Sequence, residues 1–176
     1  MRRLKDSRAA RGVGSILAPF LLVLIGGLCD LASAQQVQQP IACDFLTGAG
    51  RIIATTSGGD GSFDLAGGVK DGMFWGHLTY QDYGLMLKVD STSITNYLAP
   101  SPTTRVIEGT ARTNLYGERL YRVTVTDNRE PGTNDTFQIE LDNGYLTQGT
   151  LVSGDVELLS SNLNSTPPPG FTCGAP

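Results

Sequence analysis

Apolar and polar residues alternate with a period of two through most of the chain between residues 62 and 141. In each run one parity is apolar and the other is polar. This pattern is typical of an antiparallel strand with one face in a core and one face in water. The apolar residues that share a parity within their runs are Phe63, Leu65 and Val69; Phe74, Leu78 and Tyr80; Leu85, Leu87 and Val89; Ile107, Gly109 and Ala111; Tyr121, Val123 and Val125; and Phe137, Ile139 and Leu141.

Turn signals separate these runs, and the strongest is Asn143-Gly144, because both residues tolerate positive φ. With a first strand near residues 46–54 and a last near 147–159, the chain has about eight strands. We expect an all-β, antiparallel up-and-down meander that protects its edges by closing as a barrel, with a two-sheet β-sandwich as the alternative. The longest connection is expected around Pro100 to Pro102. Glycines within strands fit bends or bulges, and they are Gly76, Gly109 and Gly154.

Residues 1–34 have the parts of a secretory signal peptide. Five basic residues fall within the first eleven positions, an apolar run extends from about Ile16 to Leu28, and Ala32-Ser33-Ala34 matches a small-x-small cleavage site. Cleavage there predicts a secreted, periplasmic or cell-envelope protein that starts at Gln35. The alternative is an uncleaved anchor, although the run is short for a bilayer span.

The rest of the chain divides into a Gln-rich spacer at residues 35–42, a single β-domain at 43–160 and a Pro-rich tail at 161–176. Removing the leader removes five basic and two acidic residues, which takes the formal net charge from −4 to −7. That charge argues against nucleic acid and anionic membranes as partners. We expect a monomer without a transmembrane segment after the leader.

Cysteine usage points to one disulfide. Of the three cysteines, Cys29 falls within the leader, while Cys43 and Cys173 lie near the two ends of the mature chain. In an oxidising compartment these two are expected to pair. The alternatives are two free thiols or an intermolecular bond.

Three stretches carry a family resemblance: G-H-L-T-Y-Q-D at 76–82 leading to K-V-D-S-T-S-I at 88–94, then 121–128, then E-P-G-T-N-D-T-F at 130–137. The chain resembles the secreted bacterial domain family labelled post-COAP, over roughly residues 46–158. It departs from that family at Arg129, where Gly is usual, and at Tyr83, where His is frequent. The resemblance implies an exported, surface-associated bacterial β-domain and no established activity.

The loop at residues 127–135 concentrates carboxylates and amides. Calcium takes about six to eight oxygen ligands, and the candidate ligands here are Asp127, Asn128, Glu130 and Asp135. The spacing is not that of an EF-hand, and Arg129 adds a competing charge. The alternative is turn chemistry, in which Asp and Asn side chains accept hydrogen bonds from nearby backbone.

A second candidate site is an aromatic face for a ligand or a glycan, formed by Trp75, His77, Tyr83 and Tyr97. These residues fall on polar faces or in turns, and exposed aromatic surface indicates a binding face. Their alternative role is packing at strand ends or over a barrel mouth. A closed barrel could instead hold a small apolar ligand inside.

Catalytic motifs are missing from the sequence: there is one histidine, His77, and no nucleophile elbow, zinc-binding helix or phosphate loop. We therefore predict a non-catalytic exported β-domain that binds an extracellular protein or a glycan, or assembles at the cell surface. A soluble small-ligand or glycan-binding barrel is the alternative, and a hydrolase with paired carboxylates is the third hypothesis. No cofactor other than calcium is expected.

Overall fold

Each of the eight strands pairs in antiparallel fashion with the next strand along the chain, and β8 pairs with β1, so the sheet closes into a barrel. This computed structural model describes residues 41–128 and 132–174, which lie in one unit, Val37–Pro176. The predicted signal peptide lies outside the described residues. The strands are β1 Phe45–Ile53, β2 Asp60–Lys70, β3 Met73–Asp82, β4 Leu87–Ser101, β5 Thr104–Thr113, β6 Gly117–Thr126, β7 Thr136–Leu141 and β8 Leu146–Leu159.

The period-two pattern places the predicted apolar parity in the barrel interior. The ring centroids of Phe63 and Phe137 are 4.2 Å apart in a stacked pair, and Tyr80 also stacks on Phe137, at 5.6 Å. These rings fill the centre of the barrel, and aliphatic side chains from all eight strands surround them. Leu85, which the pattern placed inward, is instead exposed in the turn after β3.

The predicted bends lie at glycines. Gly76 has φ 141° and Gly154 has φ 103°, and a Cβ on either residue would overlap a carbonyl oxygen of the neighbouring strand. Gly109 lies opposite the bulged part of β4, where the register shifts between Ser91 and Ser93 and again between Ile94 and Asn96. The missing side chains therefore allow the sheet to curl where closure requires it.

The prediction for residues 100–102 is wrong. β4 continues to Ser101, which pairs with Thr104, so β4 and β5 are joined by a tight turn. Pro100 falls within a register shift of β4, where a residue without an N–H group does not break the ladder. The longer connection runs from 127 to 135, between β6 and β7, and it includes the 3₁₀ turn Gly132–Asn134.

Four connections lie together at one end of the barrel. We call this the hairpin end, and it comprises these turns with three strand residues on either side, namely residues 51–62, 80–89, 111–119 and 139–148. None of the described residues forms a helix long and apolar enough to span a membrane.

The opposite end, here called the covered end, is closed by the two terminal segments, residues 41–44 and 162–174. Ile41 pairs with both Leu98 and Cys173 through isolated bridges. Cys43 and Cys173 form the predicted disulfide, with a Cα–Cα distance of 5.4 Å. Ile41 and Ala42 are each 2% exposed, so the end of the predicted spacer belongs to the packed domain rather than to a connector.

Candidate ligand-binding groove

An open groove of about 540 Å³ lies on the outside of the barrel, between the sheet and the segment that follows β8. Its floor and one wall come from the start of β1, the end of β2 and the start of β3. Its other wall is the turn at residues 162–165. The lining residues are Phe45, Val69, Lys70, Trp75, Asn162, Leu163, Asn164 and Ser165.

The aromatic surface of the groove arises from strand register. Phe45 is level with Gly68, and Gly68 is level with Trp75, so the three residues form one row across β1, β2 and β3. A Cβ at Gly68 would lie 2.9 Å from Cβ of Phe45. Because Gly68 has no side chain, the rings of Phe45 and Trp75 approach over it, with centroids 6.3 Å apart and an interplanar angle of 47°.

The tail wall is held by hydrogen bonds to the turn between β2 and β3. The Asp71 N–H donates to the carbonyl of Asn164 at 2.9 Å, and the Gly72 N–H donates to the hydroxyl of Thr166 at 3.0 Å. Further along, Phe171 packs edge-on against Phe74 with centroids 5.8 Å apart. The groove is therefore shaped partly by a segment that the Cys43–Cys173 disulfide anchors.

Polar groups in the groove are available to a ligand. Within the described chain, the side-chain amide of Asn164 and the Nδ2 group of Asn162 make no hydrogen bond, and the Lys70 ammonium makes no ion pair. Asn162 Oδ1 accepts the Asn164 N–H at 2.9 Å, which fixes this turn. Leu163 is 99% exposed beside these amides. The groove thus combines aromatic rings, an aliphatic edge, amide donors and one cation.

Of the predicted aromatic face, Trp75 and His77 lie on the same outer face of β3. Trp75 lines the groove, whereas His77 lies in a neighbouring shallow trough with Asp64, Asp155 and Glu157. The His77 imidazole contacts the Asp64 carboxylate. In the described part of the chain no serine, threonine or cysteine lies within hydrogen-bond distance of His77.

Tyr83 and Tyr97 are not part of this surface. Tyr83 lies at the hairpin end, 48% exposed, where its hydroxyl contacts Ser62. The prediction that Tyr97 lies on an exposed face is wrong, since Tyr97 is 0% exposed. Its ring lies in the core on the same parity as Leu87 and Val89, and its hydroxyl donates to Asp44 at 3.1 Å. Burial raises the pKa of Tyr97, and the adjacent Asp44 charge raises it further.

The predicted calcium loop holds its carboxylates against the backbone. Asp135 is 0% exposed and accepts the N–H groups of Asn128 at 2.8 Å and of Val156 at 2.9 Å. Asp127 accepts the N–H of Leu158 at 3.2 Å. The bonds to Val156 and Leu158 tie the loop to β8, whereas the turn alternative expected bonds to nearby backbone only. Glu130 lies outside the described residues, and among those described no group of three His, Cys, Asp or Glu is placed to hold a metal ion.

The sequence reasoning missed a buried ion pair at the covered end. The Arg105 guanidinium, with 1% of its side chain exposed, donates from both Nε and Nη2 to Asp44. Its Nη1 donates to the carbonyls of Ser101 and Thr104 at 2.8 and 2.7 Å. Burial alone would lower the pKa of Arg105, but the hydrogen bonds and charge of Asp44 raise it. The available signal was parity, because Arg105 shares the inward parity of Ile107.

The buried carboxylate of Asp82 organises the hairpin end. Asp82 is 0% exposed and accepts hydrogen bonds from the Ser57 hydroxyl at 2.6 Å, the Tyr145 hydroxyl at 2.9 Å and two backbone N–H groups of its own turn. The Tyr145 hydroxyl lies 3.0 Å from that of Tyr80. Burial raises the pKa of Tyr80 to about 12 and also raises the pKa of Tyr145. The network joins three turns.

No family model, curated protein or solved structure matches this chain. The resemblance to the post-COAP domains accordingly stays a prediction.

Proposed function

We propose that this chain is an exported, non-catalytic binding barrel that holds a glycan in the groove beside Trp75. The observation that carries the proposal is the row formed by Phe45, Gly68 and Trp75, which presents aromatic surface next to unused amide groups. Pyranose rings have apolar faces that stack on aromatic side chains, while their hydroxyls need hydrogen-bond partners. The groove offers both kinds of contact within one volume of about 540 Å³.

The filled interior favours an external site. Phe63, Tyr80 and Phe137 stack in the centre of the barrel, where a small apolar ligand would otherwise lie. A ligand on the outer surface also suits a module that attaches to a polymer or a cell surface, since long chains can pass through an open groove.

Export is part of the same proposal. It is supported by the leader pattern of residues 1–34 and by the disulfide between Cys43 and Cys173, because disulfides persist in oxidising compartments. The contact between His77 and Asp64 lies outside the groove.

A glycan array probed with the purified protein tests the proposal. We expect retention on one class of oligosaccharide, and at least a tenfold weaker apparent affinity for Trp75→Ala, since loss of an aromatic stacking surface costs on the order of 1.4 kcal/mol or more. Leu163→Ala and Asn164→Ala, which alter the exposed tail wall without touching the core, should each weaken the same signal.

Met73→Ala is the matched control, because Met73 is 65% exposed on the same strand and does not line the groove. It should bind like the parent protein. Absence of retention on any glycan, or equal retention by the Trp75→Ala and Met73→Ala variants, would refute the proposal.

A further inference from the structure

Exposed apolar side chains collect at the hairpin end. Of the ten large hydrophobic residues that are exposed in the described part of the chain, six lie there. Four turns or strand ends carry them, at the end of the barrel rather than along its wall. They are Ile53 at 48%, Tyr83 at 48%, Leu85 at 39%, Met86 at 67%, Leu115 at 49% and Leu146 at 47% exposure.

The turns that carry Met86 and Leu115 lie side by side. Asn114 connects them, because its Nδ2 donates to the carbonyl of Met86 at 2.9 Å and its Oδ1 accepts the Lys88 N–H at 2.7 Å. Met86 and Leu115 are therefore neighbouring tips of a single surface. Met86 has φ 57°, so its turn holds a non-glycine residue in the left-handed region. Exposed apolar groups in contiguous patches mark interaction surfaces.

The hairpin end also differs from the rest of the barrel in its balance of basic and acidic residues. The hairpin end holds four basic residues and, apart from the buried Asp82, four acidic ones. Apart from the buried Arg105 and Asp135, the remaining described residues hold two basic and eight acidic residues. A surface of phosphate head groups therefore repels the rest of the barrel but not this end. Lys88 lies next to the tips and makes no ion pair within the described residues, whereas Arg112 lies 4.0 Å from Glu118.

We infer that the hairpin end docks on a lipid surface, with Met86 and Leu115 entering the boundary between head groups and acyl chains. Interfacial binding of this kind depends on buried apolar area together with the local charge. Tyr83 has the amphipathic ring that suits the same depth. The orientation is end-on, so the groove beside Trp75, on the wall near the covered end, stays open to solvent.

Fluorescence from a single tryptophan at each end tests this. In a Trp75→Phe background the chain has no other tryptophan, so Leu115→Trp reports on the hairpin end and Met73→Trp on the covered end. With phosphatidylcholine vesicles we expect a blue shift for the Leu115→Trp variant and quenching by brominated lipid. The Met73→Trp variant should show neither. Because residues 1–34 are common to both variants, binding through that segment does not produce this difference.

Met86→Asp tests the contribution of the tip, and Met73→Asp, near the covered end, is its matched control. Asp tolerates positive φ better than most residues, so the turn is kept. We expect about a tenfold loss of vesicle partitioning for Met86→Asp, since a buried Met side chain is worth about 1.5–3 kcal/mol, and no loss for Met73→Asp. Three outcomes would overturn the inference: no quenching of the Leu115→Trp variant, equal quenching at both positions, or concentration-dependent self-association without lipid that Met86→Asp abolishes, which would assign the surface to a second copy.

Discussion

The covered end of the barrel hides its apolar residues beneath two terminal segments and a disulfide, whereas the hairpin end leaves its apolar residues in water. Ile41 and Ala42 are each 2% exposed at the first end, while Met86 is 67% exposed at the second. Both ends nevertheless contain a carboxylate that accepts several hydrogen bonds: Asp44, which is half-buried, or Asp82, which is buried. The difference lies in the partner, because Asp44 has a guanidinium and Asp82 has only neutral donors.

This contrast teaches that each end uses its carboxylate for a different task. Asp44 neutralises Arg105 and joins the N-terminal segment to β4 and β5. Asp82 gathers turns that are separated along the chain, with Ser57 and Tyr145 as its side-chain donors. Because Asp82 holds the turns of the hairpin end together from inside, the apolar tips of those turns can stay exposed to a partner. The covered end instead supplies one wall of the groove.

The largest effect is expected from alkaline pH, which acts on both ends together. Burial raises the pKa values of Tyr80, Tyr97, Tyr121 and Tyr145 above the value of about 10 that holds in an unfolded chain. Between about pH 10 and the folded values the unfolded state loses these protons first, so stability falls as pH rises. Below pH 10 this contribution is fully present.

Phenolate absorbance and circular dichroism, followed together, check this prediction. We expect the four phenols to ionise in the same transition that melts the barrel. Gradual ionisation of all the tyrosines in a barrel that stays folded would contradict the packing described for these rings.

The second largest effect is expected from loss of the disulfide at the covered end. Cys43 and Cys173 are 130 residues apart, and loop-entropy arguments give such a closure about 4–5 kcal/mol. The Cys43→Ser/Cys173→Ser double variant should therefore unfold at a clearly lower denaturant concentration. An unchanged midpoint, in the variant or in the reduced parent protein, would show that the bridge adds nothing to stability.

Removing Asp44, the partner of the buried Arg105 charge, should lower the free energy of unfolding slightly less than loss of the disulfide does. Asp44→Ala leaves the Arg105 guanidinium buried and unpaired, which costs about 3–5 kcal/mol. Asp60→Ala is the matched control, because it breaks the exposed pair with Arg51, whose side chain is 52% exposed, and such pairs contribute about 0–1 kcal/mol. Urea denaturation of the two variants gives the difference directly, and equal costs would mean that Arg105 is not buried as described.

At the hairpin end, Asp82→Ala should cost about 2–4 kcal/mol, because it leaves the Ser57 and Tyr145 hydroxyls and two N–H groups without their acceptor. Asp82→Asn keeps one oxygen and should cost less. Hydrogen exchange of the turns at 54–59 and 142–145 would rise in Asp82→Ala. If protection in both turns were unchanged, Asp82 would not join them.

The barrel was predictable from sequence because the alternation of apolar and polar residues in each strand indicates which side chains face the core. Tyr121, Val123 and Val125 alternate with polar residues, and this local pattern assigns their faces regardless of distant contacts. The disulfide was predicted from the number of cysteines outside the leader and from the expected oxidising compartment. Tyr97 was misassigned although it shares the odd parity of the inward-facing Leu87 and Val89, because the polar stretch between Val89 and Tyr97 hides the continuation of β4; the two bulges in that stretch cancel in their effect on parity.

The groove was only partly predictable for a similar reason. Trp75 was selected from its polar-face position, but its neighbours Phe45, Asn162 and Leu163 are far from it in the chain. Barrel closure and the path of the tail bring them together. Arg105 shows the reverse case, since a charged residue at an inward parity was visible in the sequence while its partner, Asp44, was not.

The fluorescence of Trp75 tests the central claim most directly, because it is the only tryptophan in the chain and it lines the groove. Titration with the oligosaccharides retained on the array should shift or quench its emission in a saturable way, and Leu163→Ala should weaken the titration while Met73→Ala leaves it unchanged. Saturable glycan binding that leaves the emission of Trp75 unchanged would contradict the account and place the site elsewhere on the barrel.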